Sequence, residues 1–312
     1  MMFNAPLRPG WMAIELRAEQ VRIAHVVRSG PRRARLEMRR QVERAGTDTD
    51  DLARLRRSFG LQHYRCTTSV DPAAYQIVAL NAPAVAAAEM NTALRWGIKD
   101  ALDFPPDDAL IDSLAVPTDG APAGRAPMVL AVAARRDRVG ARVQAFQRSG
   151  VPLKVVDIAE TAQRNLATLY EQPDRALAFL SFTDRGGLLT FTRNGELYAL
   201  RHIDVGASAL ADSAPAETRQ LQFERIALEL QRSLDNFDRM FSQLALQRVL
   251  VAPHDGREAL IAWLRDNLAP PIEAADLDGI VDCDADASFA NLAEQAAWLH
   301  PIGLALRHEV SA

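Results

Sequence analysis

At 312 residues, with 48% hydrophobic and 24% charged residues, the chain has an ordinary globular composition and room for two or three compact units. Its net charge of -4 gives no general attraction to nucleic acid or anionic lipid. The two cysteines, Cys66 and Cys283, lie far apart and are expected as free thiols of a reducing compartment. Residues 1–10 hold two prolines and no apolar core. The apolar run 128–134 is far short of the roughly 20 residues of a membrane helix. A cytoplasmic protein with peripheral membrane contact only is therefore expected.

Residues 11–17 alternate Met12, Ile14 and Leu16 with polar neighbours, and 21–27 and 34–42 do so less cleanly. They predict a three-stranded meander with turns near 18–20 and 29–31. Residues 49–59 read as a helix with Asp50 or Asp51 at its start, Leu52, Leu55 and Phe59 on one face, and Gly60 stopping it. Residues 61–70 and 75–80 are further strands. Asn81-Ala82-Pro83 predicts the opening of a longer helix that runs to about Phe104 before Pro105-Pro106. A short strand over 109–116, a Pro/Gly/Ala-rich tip or loop over 117–127, and a buried strand over 128–134 follow. Then come a helix over 136–148, a strand over 151–157 and a helix over 158–170. The best boundary is 171–174, giving a first half of residues 1–172 and a second of 173–312.

In the second half, 176–180 is a strand, and 188–192 and 197–203 flank Asn194-Gly195, a pair tolerant of positive φ and a strong hairpin signal. The longest helix is expected over 217–244, with Phe223, Ile226, Leu230, Leu234, Phe237, Phe241 and Leu244 in one stripe. A strand over 249–251, a helix over 257–268, an acidic segment and a helix over 289–308 complete the chain. Both halves share a coarse order of meander, helix, strand and helix, which suits a duplicated α/β domain.

Three ordered stretches resemble the PilM family of type IV pilus platform proteins, and more narrowly its relative in the mannose-sensitive haemagglutinin (MSHA) pilus system. The first is Leu94-Arg95-Trp96-Gly97-Ile98-Lys99-Asp100-Ala101-Leu102-Asp103-Phe104-Pro105. The second joins Val129-Leu130-Ala131-Val132-Ala133-Ala134-Arg135 to Gly150-Val151-Pro152-Leu153. The third is the Asn194-Gly195 hairpin followed by Glu229-Leu230-Gln231-Arg232-Ser233-Leu234-Asp235. The resemblance implies an α/β, actin-like ATPase fold of two related domains. A small α+β subdomain is inserted in the first, at about 71–150, and the helix of about 289–308 could pack back on the first half. It also implies a place on the cytoplasmic face of a bacterial inner membrane. There the family binds the cytoplasmic N-terminus of a PilN-like bitopic protein; a pilus assembly ATPase and a second copy of the chain are further implied partners. Some family members bind ATP.

In actin-like ATPases, glycine-rich hairpins bring bare backbone amides to phosphate, and nearby carboxylates hold Mg²⁺ and its water. The family's first hairpin reads roughly Asp-Ile-Gly-Ser-Ser-Ser-Val-Lys; matched residue by residue, this chain has Glu15, Leu16, Arg17, Ala18, Glu19, Gln20, Val21 and Arg22. Glu15 keeps a carboxylate and Arg22 a cation, but Arg17 fills the room that glycine leaves. In the second hairpin the family's Asp and Gly become Ser181 and Thr183, with Asp184 and Gly186-Gly187 beyond. A Gly-Gly expected after residues 249–252 is replaced by Pro253-His254-Asp255-Gly256. A degenerate nucleotide site made of Glu15, Arg17, Arg22, Ser181, Thr183 and Asp184 is expected, with no catalytic residue and no resident cofactor. Binding of ATP with Mg²⁺ is the alternative.

No Walker A loop or Gly-x-Ser-x-Gly elbow is present. His63 and Cys66 lack a second ligand pair, and Asp282, Asp284 and Asp286 lack a calcium loop's glycine and closing glutamate, so no metal site is expected. Arg28, Arg32, Arg33, Arg35, Arg39 and Arg40 form the one dense basic run, either a solvated hairpin face or a lipid contact. Trp96 lies about 120° or more off the apolar stripe of its helix, so it either marks a partner contact or packs under a neighbouring loop. The family's partner peptide lies between the insert and the first half, which makes Trp96 and Phe104 the leading contact candidates. The expectation is a non-catalytic scaffold, with an ATP-binding switch of the same fold as the rival. A sugar- or acetate-kinase-like enzyme is disfavoured by the missing glycines and carboxylate.

Overall fold

A computed structural model describes residues 7–30, 32–122, 124–283 and 289–307. The first sheet begins as an antiparallel meander of β1 (Trp11–Leu16), β2 (Gln20–Gly30) and β3 (Arg33–Glu43). The parallel strands β4 (Arg65–Ser69) and β8 (Leu153–Asp157) extend it on one side and β14 (Val281–Cys283) on the other, in the order β14-β3-β2-β1-β4-β8. Helices α1 (Asp48–Phe59) and α3 (Arg136–Ser149) pack together on one face, burying Leu52, Leu55 and Phe146 with Met12 and Ile14. Thr47 caps α1 through a reciprocal bond pair with Asp50, and Gly60 ends it at φ 64.

The second sheet has the order β11-β10-β9-β12-β13. Its strands are β9 (Ala176–Thr183), β10 (Gly186–Arg193), β11 (Glu196–Ile203), β12 (Leu246–Val251) and β13 (Ile272–Ala274). The apolar stripe of α5 (Ala216–Met240) and α6 (Arg257–Asn267) cover one face. The other face meets α4 (Ala159–Ala167) and α7 (Leu292–Ala305), which pack on each other between the two sheets. Helix α7 also lies against β1 and β2. Close approach of α4 and α7 requires Gly303, where a Cβ would stand 2.3 Å from Ala162 O.

Between β4 and α3 the chain builds a three-stranded antiparallel sheet, order β5-β7-β6, from β5 (Tyr75–Asn81), β6 (Ala109–Val116) and β7 (Met128–Arg135). The expected long helix here is shorter: α2 spans Met90–Ile98, flanked by 3-10 turns at Ala87–Glu89 and Lys99–Ala101. Asn81 stays paired to Met128 in β5, and no side chain caps the helix start. The longest helix likewise stops at Met240 rather than Leu244, because Phe241 leaves helical geometry (φ -135) as its ring enters the core. Among the described residues no helix is long and apolar enough to cross a membrane. Asp282 lies on β14, while Asp284 and Asp286 fall outside the described residues.

Candidate functional site

The β1–β2 and β9–β10 hairpins carry the candidate nucleotide residues. Glu15 faces Arg22 across the first hairpin and is 7% exposed. Arg17 donates to it twice, Nε to Oε2 at 2.7 Å and Nη2 to Oε1 at 3.1 Å. From α7, His300 Nδ1 lies 2.8 Å from Oε1. Arg22 Nη1 stands 3.9 Å from Oε2 but donates to Ala297 O at 2.7 Å, while its Nε donates to Gln41 Oε1 at 3.0 Å. Burial alone would push the Glu15 carboxyl up; hydrogen bonds and positive charge from His300 and Arg17 outweigh it and hold the group at about 2. Burial works against the Arg17 guanidinium too, yet Glu15, helped by the charge of Asp184, lifts it above its ordinary value. The carboxylate kept from the first hairpin is thus neutralised from within.

The second hairpin turns at Thr183–Gly186. Ser181 is buried and donates to Gln163 Oε1 on α4. Gln163 Nε2 in turn donates to Phe179 O at 2.9 Å, Thr190 Oγ1 at 3.0 Å and Leu188 O at 3.1 Å. The Ser181 hydroxyl therefore fastens a helix to the sheet. Thr183 Oγ1 accepts from the Arg185 amide and donates to Gly186 O, and Arg185 pairs with Asp71, which caps the 3-10 turn after β4. Thr183 and Arg185 spend their polar groups inside the turn or across to the first half.

After β12, where the family resemblance leads one to expect a Gly-Gly, His254 is 2% exposed, edge-on to Phe182 at 5.3 Å, with Nδ1 2.7 Å from Asp255 O. Burial pushes its pKa down, and the ring is packed inside the fold. Gly256 (φ +77) is required by close packing, since a Cβ would meet Leu210 O at 1.9 Å. Among the described residues no three His, Cys, Asp or Glu side chains converge as metal ligands. These residues do not fit Mg-ATP: a cation at Glu15 must displace Arg17 or His300, and Arg17 occupies the glycine position of the phosphate turn.

The two partner-contact candidates separate. Trp96 is 68% exposed, with Lys99 Nζ 5.4 Å from its ring centroid. Phe104 is buried: its ring lies in the insert's core with Leu94, Ile98 and Ile111, under the Arg135 guanidinium at 4.5 Å. The basic run also divides. Arg28 donates to Leu306 O at 2.8 Å and Thr168 Oγ1 at 2.7 Å, and burial lowers its pKa to about 10. Arg39 lies over Phe289 and Trp298 and pairs with Glu294 at 2.6 Å. Only Arg32, Arg33, Arg35 and Arg40 of the run are exposed. A groove of about 310 Å³ follows β8, the edge strand of the first sheet, lined by Val143 and Gln147 of α3 and by residues 151–156. Neither His300 nor Gln163 is signalled in the sequence: one lies 285 residues from Glu15, the other in a helix with no motif around it.

The family described as "Type IV pilus assembly protein PilM" matches residues 18–181. The solved structure described as "PilM-PilN type IV pilus biogenesis complex" is similar over 96% of this chain and 98% of that one, at 20% identity and a TM-score of 0.65. A Bacteroides thetaiotaomicron protein of actin-like ATPase fold and unknown function is similar over 90% of this chain and 96% of that one, at 8% identity and a TM-score of 0.52. Comparison with curated proteins gives no match. The fold is the actin-like ATPase fold.

Proposed function

The chain belongs to the PilM family of type IV pilus assembly proteins, and from that premise we propose that it is a non-catalytic scaffold of pilus biogenesis. It works on the cytoplasmic side of the inner membrane and holds the N-terminal peptide of a PilN-like bitopic protein. The likeness to a PilM-PilN complex supports the choice of partner, and the stretch from Leu94 to Pro105 supports placement beside the MSHA relative. One observation carries the non-catalytic reading: Glu15, the carboxylate retained in the first phosphate hairpin, is already held by Arg17 and His300. Trp96, exposed on the insert, is the side chain assigned to the partner, because tryptophan buries a large, rigid area on binding.

Calorimetric titration tests both parts. Millimolar Mg-ATP is expected to give no saturable heat, while a synthetic N-terminal peptide of the partner binds at one site. Trp96→Ala is expected to weaken that peptide by about tenfold or more, in the range of an interface hot spot. Saturable Mg-ATP binding would replace the scaffold with the nucleotide-controlled switch, in which a shifted loop would use Asp184 and Gly186-Gly187 in place of Ser181 and Thr183.

A further inference from the structure

The three-stranded insert is part of the first half by chain connectivity, entered from β4 and left through α3. Its packing is another matter. Toward the first half it offers a small apolar cluster in which Tyr75 and Ala134 meet Val70 and Ile158. Toward the second half, Val116 and Leu130 join the large core that contains Phe191 and Tyr198.

The loop between β6 and β7 strengthens this second contact. Asp119 accepts from Tyr198 Oη at 2.7 Å and pairs with Arg193. Arg125 donates to Met240 O at 2.7 Å, and its guanidinium lies 5.6 Å from the Phe241 ring centroid. Gly120 accepts from the Gln243 amide and sits at φ +75, so close to Leu244 that a Cβ would approach within 2.3 Å. A second fastening lies at the insert's base. Tyr75 Oη donates to Glu160 Oε2 at 2.7 Å, and His202 Nε2 of β11 lies 2.7 Å from Glu160 Oε1. Glu160 is 1% exposed, so on α4 this buried carboxylate accepts from the insert and meets the solvent-exposed His202 of the second sheet.

We infer that the insert is strapped to the second half and moves with it, so that opening of the molecule is a motion of the first half against the other two parts. The strap is made by Asp119, Gly120 and Arg125 between β6 and β7, and the Tyr75–Glu160–His202 contact is its counterpart at the base. Any ligand wedged between insert and first half then changes the angle between the halves as well. This holds whichever partner the protein serves.

Pairs of spin labels read the motion directly. Cys283→Ser leaves Cys66, a buried thiol pushed up to about 12, as a poor labelling competitor. In that background, Asp100→Cys on the insert is paired with Arg239→Cys on α5 or with Arg57→Cys on α1, all exposed positions. The insert-to-second-half distance distribution is expected to be the narrower of the two. Gly120→Val, whose side chain meets Leu244, is expected to broaden it at least twofold. Tyr198→Phe removes one strap bond without touching the loop, and serves where the glycine variant folds poorly. Trypsin gives an independent reading: the bond after Arg125 is expected to be cut at least tenfold faster in either variant than in the parent protein. A narrower insert-to-first-half distribution, or cleavage after Arg125 equally fast in parent and variants, would overturn the strap.

Discussion

At Glu15 a buried carboxylate is held by Arg17 and His300, and the result has a pH signature. The folded carboxyl is held at about 2 against an ordinary 4.5, so the folded state binds its proton less tightly than the unfolded chain. The stabilisation is therefore complete above the unfolded value and is lost as pH falls from about 5 toward 2. A shift of this size corresponds to about 3 kcal/mol. Glu15→Gln is expected to lower stability at neutral pH by that order and to flatten its acid dependence, leaving Arg17 and His300 without their shared anion. Urea midpoints measured at several pH values between 7 and 3 check this; parallel acid profiles for parent and variant would show that Glu15 is not the titrating group. Arg17 beside Glu15 was legible in the sequence because the two lie two residues apart in one hairpin. His300 was not, since a lone histidine in an apolar helix shows nothing of a partner in β1.

Among the elements, those set by local chemistry followed the sequence closely. Asn194 and Gly195 take φ 52 and 80, the positive pair that a two-residue hairpin turn demands. The Gly195 amide donates to Glu171 Oε2 at 2.9 Å, which pins the turn to the segment after α4. Gly195→Ala is expected to cost about 1 kcal/mol through the left-handed backbone, without loss of the fold. A thermal midpoint unchanged within error would show that the turn relaxes freely. Helix α2 departs from its sequence pattern for the opposite reason. Alanine-rich residues 82–89 look helical one by one, yet Pro83 and the pairing of Asn81 in β5 hold their start in extended geometry. Phe104, which reads as an interface aromatic in sequence, is core because the strands β6 and β7 close over it.

For the whole molecule, α4 and α7 decide whether the two halves behave as one. Their shared core takes Trp11, Ala13 and Ala24 from the first sheet and Leu177, Phe179 and Leu250 from the second. Gln163 of α4 bonds only into the second sheet, while Arg22 and Arg39 of the first sheet reach α7. Loosening the contact between these helices should weaken both halves together. Gly303 is the place to do so, because a methyl there meets the Ala162 carbonyl at 2.3 Å and backbone cannot rotate away. Gly303→Ala is expected to destabilise the protein by about 1–3 kcal/mol, after any gain in helix propensity. With Trp11 and Trp96 replaced by Phe, variants that keep only Trp298, buried in the shared core, or only Trp263, packed on the second sheet's core, report on the two regions separately. Their fluorescence should follow one common denaturation curve in the parent background and one common, shifted curve with Gly303→Ala. If Trp298 instead changes at lower denaturant while Trp263 keeps the parent midpoint, the halves are coupled less tightly than the shared helical layer requires.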